Sequence, residues 1–212
     1  IAGTATPEGT VTGSLGSDRA SAKADRDGAF TLSFPAREAR ETPISLSLRD
    51  ASGETKVGNL LIGDVYLCSG QSNMELPVNR ALNTYNELRL APDDGIRLLK
   101  VAQKTAPVPR TTFDDPVAWQ PATSESVAEF SAACFFMGKQ LRADHSDVPV
   151  GLIHSNWGGS AASAWLTPES VRVLYGEEAL EQLRLYDRNP LSAAQAFAPQ
   201  WYDWWRAGDN GR

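Results

Sequence analysis

Two apolar stretches restrict what this chain can fold into more than anything else in it. Leu60–Leu67 and Val148–His154 are runs of mostly Leu, Ile, Val and Tyr, and each opens into a loop of small and polar residues. Strands whose successive side chains are apolar are expected where both faces are covered, as in a parallel sheet sandwiched between helices. The intervening sequence fits that arrangement. The pattern predicts a helix over Met74–Leu90 after an early Pro77, a strand over Ile96–Val101, and a helix over Ser126–Ala143. The last has Ser124 as cap and Val127, Phe130, Ala133, Cys134, Met137 and Leu141 on one stripe. Strands alternating with helices imply parallel pairing through right-handed crossovers, so the fold class is α/β.

Residues 1–60 follow a different rule. Thr10–Leu15, Ala29–Phe34 and Ile44–Leu48 alternate apolar with polar, the period of strands with one buried face. Asp25-Arg26-Asp27-Gly28 and Asp50-Ala51-Ser52-Gly53 have the composition of turns between them, with a side-chain acceptor early and glycine late. The expected organisation is therefore a small antiparallel β module over 1–60, an α/β region over 61–175, and a helical segment over 176–212. That last segment carries Trp201, Tyr202, Trp204 and Trp205, a packing seam or a sugar-stacking platform.

Charge and cysteine content narrow the function. A net charge of −6 without any run of Lys or Arg speaks against nucleic acid as a partner. No stretch approaches the apolar length of a membrane span, so no membrane partner is expected. The chain opens on Ile1 with no apolar leader, which reads as a signal peptide removed or never present. Cys68 and Cys134 lie in no metal-ligand spacing and read as two buried thiols; no metal and no organic cofactor is expected.

The chemistry is expected where the two apolar strands end, because ligands of open α/β sheets collect at the carboxyl ends of strands. Cys68-Ser69-Gly70-Gln71-Ser72-Asn73-Met74 leaves the first strand for a helix. Gly70 permits a sharp turn that exposes the Ser72 hydroxyl at the helix start, where backbone N–H groups favour a developing oxyanion. Ser155-Asn156-Trp157-Gly158-Gly159-Ser160 follows the second strand, and its paired glycines allow a backbone N–H to approach a substrate closely. From spacing alone, both loops are equally well read as ordinary strand-to-helix turns.

Longer motifs go further. Gly63 to Glu75, reading Gly-Asp-Val-Tyr-Leu-Cys-Ser-Gly-Gln-Ser-Asn-Met-Glu, resembles the nucleophile block of the sialate O-acetylesterase family, a branch of the SGNH hydrolases. Val148 to Gly159 resembles that family's second block, and Phe130–Phe136 and Asp27–Phe30 also match, in the family's order. The resemblance implies a flavodoxin-like, three-layer SGNH-hydrolase fold with a partial parallel sheet, preceded by an antiparallel β-sandwich module. It implies a serine esterase that removes O-acetyl groups from carbohydrate through an acyl-enzyme on Ser72.

The same resemblance implies that the Ser72 and Gly159 N–H groups, or that of Gly158, receive the oxyanion, and that Gln71, Asn73 and Trp157 shape the pocket. The family's Gln-Gly-Glu-Ser-Asn block and its late Asp-x-His or Asp-x-x-His are absent here. The base histidine and its aspartate are therefore expected outside these 212 residues, in the C-terminal half of the enzyme, past an inserted domain that 176–212 leads into. His145, among Asp144, Ser146 and Asp147, reads as a surface residue, His154 as bordering the site without acting as base, and Asp64 as a hydrogen-bonded structural carboxylate. Secretion or a periplasmic location follows from the resemblance alone. An acetylesterase for plant glycans such as xylan or xyloglucan, and a glycan-binding module with a vestigial esterase fold, remain as alternatives.

Overall fold

The alternating segments at the N-terminus become antiparallel sheets in the computed structural model, which describes residues 1–209. Strands β1 (Ala2–Thr4), β2 (Thr10–Leu15), β3 (Asp18–Lys23), β4 (Ala29–Thr31), β5 (Arg40–Asp50) and β6 (Gly53–Ile62) form a β1–β4 pair and a four-stranded sheet in the order β3-β2-β5-β6. Every pairing in both sheets is antiparallel. The inward residues of the alternation, Val11, Phe30 and Leu32, and Leu15, Ile44 and Leu46, make two small cores.

The turns form as their residues dictate. Asp25 Oδ1 accepts from the amides of Asp27 and Ala29 at 2.9 and 2.8 Å, and Gly28 follows at φ +84°. In the β5–β6 turn the Ser52 hydroxyl, with the Thr6 and Ser52 amides, holds the Asp50 carboxyl at about 2. The alternation did not predict β3, whose faces differ little because both carry small or polar side chains.

The apolar run at Leu60–Leu67 is two strands rather than one. β6 ends at Ile62 in the antiparallel sheet, and β7 (Asp64–Gly70) begins a second sheet. Gly63 stands at the switch because the Pro149 carbonyl lies against it: a Cβ there would meet that oxygen at 2.0 Å, and the next amide, Asp64 N–H, donates to it at 3.0 Å. The second sheet joins β7 to β8 (Asp93–Lys100), β9 (Gln120–Ala122) and β10 (Val150–Asn156) in the order β7-β10-β8-β9. β10 is parallel to both β7 and β8, and β9 runs antiparallel on β8, which makes the sheet mixed where a wholly parallel one was expected.

Burial on both faces of β7 is not observed. Tyr66 and Cys68 point into the core, but Val65 and Leu67, on the other face of β7, are 61% and 67% exposed.

The expected Met74–Leu90 helix is broken into α1 (Ser72–Glu75), a 3-10 turn at Val78–Arg80 and α2 (Thr84–Arg89). Pro77 and a left-handed Asn83 make the breaks. Ser126–Ala143 likewise divides into α3 (Ser124–Ala128), capped by Thr123 rather than Ser124, and α4 (Ala132–Asp144), capped by Ser131. Restarting the helix at Ala132 rotates the stripe: Cys134, Phe135 and Gly138 are buried, while Ala133 and Met137 face outward. These helices close a core of Val78, Ile96, Leu98, Val127, Phe130, Phe135 and Leu152 against the sheet.

Residues 1–101 and 118–156 form one unit. The second unit comprises residues 102–117 and the chain from Trp157 on. It contains α5 (Pro168–Tyr175), capped by Thr167 with proline in its first turn, α6 (Glu177–Arg188) and α7 (Pro190–Asp209). Arg110 pairs with Asp187 at 2.5 Å, tying the 102–117 segment to α6. On α7, Trp201 stacks on Trp204 at 5.3 Å and meets Trp205 edge-on, and all three remain exposed. Residues 210–212, the end of the segment expected to lead onward, lie outside the described residues.

Candidate active site

Ser72 owes its position to the end of β7. The strand stops at Gly70, which takes φ +146°, a conformation that side-chain-bearing residues rarely adopt. Gln71 then caps α1 with its carbonyl, which accepts from the Met74 and Glu75 amides at 2.9 and 3.0 Å. Ser72 is the first residue of α1 and is exposed together with Gln71 and Asn73. Its hydroxyl donates to Gln71 Oε1 at 2.9 Å. The result is an accessible serine oxygen at the carboxyl end of a strand parallel to its neighbour, with Gln71 and Asn73 exposed on either side of it.

Beneath that turn lies a polar network that the sequence did not reveal. In the β7–β10 register His154 stands beside Cys68 and Asn156 beside Gly70. His154 and Asn156 are only 2% and 3% exposed. His154 Nδ1 accepts the Ser131 N–H at 3.1 Å, and the Phe130 ring meets the imidazole edge-on at 5.1 Å. Burial pushes the His154 pKa down to about 4, with the Lys100 charge acting in the same direction; the Asn156 side chain and Glu75 oppose it. His154 Nδ1 is taken up by the Ser131 amide and the Ser72 hydroxyl donates to Gln71, so imidazole and hydroxyl are not hydrogen-bonded to each other. His145 closes the C-terminus of α4 at the surface, and Asp64, expected to be a hydrogen-bonded structural carboxylate, is exposed at the start of β7.

Cys68 and Cys134 form a disulfide, with Cα atoms 5.9 Å apart, so the expectation of two free buried thiols is corrected. Both residues are buried as expected, at 4% and 1% exposure, but the fold brings the first turn of α4 onto β7 and closes the pair. Their 66-residue separation gave no sign of this. Among the described residues no group of three His, Cys, Asp or Glu side chains is placed to hold a metal ion.

Trp157, Gly158 and Gly159 belong to the second unit, which the chain enters directly from Asn156. They form a tight turn in which the Trp157 carbonyl accepts from the Ser160 amide at 3.3 Å and the Ser160 hydroxyl at 2.6 Å. The Trp165 indole N–H donates to that hydroxyl at 2.8 Å. Gly159 takes φ +77°, with nothing within 4 Å of where a Cβ would stand. Backbone conformation, not space, is what requires glycine there.

Comparison with known proteins finds likenesses to carbohydrate esterases. The family model of carbohydrate esterases described as sialic acid-specific acetylesterase matches residues 62–196. A sialate O-acetylesterase of Pongo abelii is 32% identical over 191 residues, covering 81% of this chain and 36% of the relative. The sialate O-acetylesterase of Homo sapiens is 36% identical over 127 residues, covering 55% of this chain and 24% of the relative. The crystal structure of a carbohydrate acetylesterase from Xanthomonas citri superposes with a TM-score of 0.77 at 32% identity, covering 85% of this chain and 40% of that one. The chain thus spans well under half the length of these relatives.

Proposed function

Because this chain belongs to the sialic acid-specific acetylesterase family of carbohydrate esterases, we propose that it supplies the nucleophile of a carboxylic ester hydrolase acting on O-acetylated carbohydrate. The observation that carries the reading is the exposed Ser72 hydroxyl on the turn that ends β7. In this mechanism Ser72 Oγ attacks the acetyl carbonyl and the sugar C–O–acyl linkage breaks at the acyl carbon. The sugar departs as an alcohol after taking up a proton, and water then hydrolyses the acetyl-serine. A histidine oriented by a carboxylate removes the serine proton in the first step and activates the water in the second. The reading gives that role to neither His145 nor His154 and, on the sequence motifs, assigns the base and its aspartate to the C-terminal half of the enzyme; the relatives are longer than this chain.

The oxyanion roles of the Ser72 N–H and of the Gly159 or Gly158 N–H, and the pocket roles of Gln71, Asn73 and Trp157, rest on the sequence motifs. So does the assignment of residues 61–175 to the first part of an SGNH-type catalytic domain after a β-sandwich module. The disulfide supports a secreted or periplasmic protein, because such bonds persist in oxidising compartments.

Reaction with a serine-directed organophosphonate followed by peptide mapping tests the reading in the complete protein. Label is expected on Ser72 alone, and Ser72→Ala should abolish release of acetate from O-acetylated sialic acid. Label on Ser69, Ser155 or Ser160 would remove the assignment, and glycan binding with an unreactive Ser72 would favour a vestigial esterase fold. Faster acetate release from acetylated xylan than from sialic acid would move the substrate to plant glycans.

A further inference from the structure

We infer that His154 is a positioning residue for the Ser72 turn, acting through the Glu129–Cys134 segment that its ring holds against the nucleophile strand. The inference rests on Ser72 being the nucleophile and concerns what keeps it in place. Four links converge on that segment. His154 Nδ1 accepts from Ser131 N–H at 3.1 Å. Ala132 N–H donates to the Leu76 carbonyl at 2.8 Å, and Leu76 N–H donates to the Ser72 carbonyl at 3.0 Å. Val78 N–H donates to the Phe130 carbonyl at 3.0 Å. Cys134, whose amide donates to the Ser131 hydroxyl at 3.3 Å, is bonded to Cys68, four positions before Ser72.

Of these links, the imidazole is the one that a proton can reverse. Ser131 offers an N–H, so the ring must present a bare Nδ1 and carry its hydrogen on Nε2. A proton on Nδ1 would set two donors against each other in a buried site and release the segment that holds the Leu76 carbonyl, and through Leu76 the end of the Ser72 turn. The charged groups that bear on the ring are Lys100 from β8 and Glu75 from α1. Asn156 meets it from its own strand, Cys68 of the disulfide stands beside it on β7, and the Ser131 amide and the Phe130 ring contact it; none of these titrates.

Two substitutions separate positioning from packing in the complete protein. His154→Phe keeps a ring against Phe130 but offers no acceptor. His154→Asn removes more volume but places Oδ1 near the former Nδ1. If the acceptor matters, His154→Phe should lower kcat for 4-nitrophenyl acetate by about tenfold, the size of one net hydrogen bond, with KM within about threefold of wild type. His154→Asn should recover most of that loss. If the ring only fills space, the order reverses, with His154→Asn the poorer enzyme, and the inference fails. Nitrogen-15 NMR of the unaltered protein tests the same point whether or not the variants fold: Nδ1 should be unprotonated and hydrogen-bonded between pH 5 and 7. A proton on Nδ1, or free titration near the ordinary histidine value, would overturn the proposal. Failure of the esterase reading looks different: Ser72 would then be unlabelled in wild type and Ser72→Ala without effect on turnover.

Discussion

The disulfide offers the sharpest quantitative test of this fold. Cys68 and Cys134 are 66 residues apart and join the nucleophile strand β7 to the first turn of α4. Closing a loop of that length removes roughly 15 cal/mol/K of chain entropy from the unfolded state, which is about 4 kcal/mol at room temperature. With a urea dependence of about 2 kcal/mol/M, the unfolding midpoint of the first unit should fall by about 2 M when the link is lost.

Two perturbations remove it differently. Tris(2-carboxyethyl)phosphine breaks the bond and leaves both sulfurs in place, whereas Cys68→Ala with Cys134→Ala also removes buried atoms and should cost somewhat more. Urea unfolding followed by far-ultraviolet circular dichroism reads both. Because the link lies four residues before Ser72, organophosphonate labelling of Ser72 should slow in parallel. The reasoning is refuted if the denatured, unreduced protein titrates with two free thiols, or if the midpoint of the reduced protein stays within about 0.5 M of the oxidised one.

Acid should weaken the first unit through His154. Its folded pKa of about 4 lies below the ordinary 6.5, so the unfolded chain takes up the proton first. That contribution to stability is complete above pH 6.5 and is lost as pH falls from there to 4, by at most about 3 kcal/mol. Urea midpoints measured across this range should show the slope in wild type and a flatter one in His154→Phe; equal slopes would exclude His154 as the source. Gly159→Val should reduce kcat by roughly 10² to 10³ with little change in KM, as for loss of an oxyanion donor. Steady-state kinetics that stay within about threefold of wild type would leave the turn a purely structural role.

Much of this protein is written in short-range patterns. The alternation of Thr10–Leu15 and Ile44–Leu48 marked two strands because one face of each is buried, and the Asp25 and Asp50 turns formed from acceptors two residues from their donors. The setting of Ser72 was legible for the same reason: an apolar strand, a glycine at φ +146° and a helix start all lie within ten residues.

What escaped the sequence depended on partners far along the chain. Gly63 divides β6 from β7 because of the Pro149 carbonyl, and β7 leaves one face, that of Val65 and Leu67, exposed. Ser131 rather than Ser124 starts the long helix, since the Leu76 carbonyl receives the Ala132 amide and His154 receives that of Ser131. The same long-range packing closes Cys68 on Cys134. Residue type and spacing determine which hydrogen bonds and apolar contacts a segment can make with itself. Which strand becomes an edge, which thiols meet and which imidazole is buried follow only when elements dozens of residues apart are pressed together and every buried polar group must find a partner.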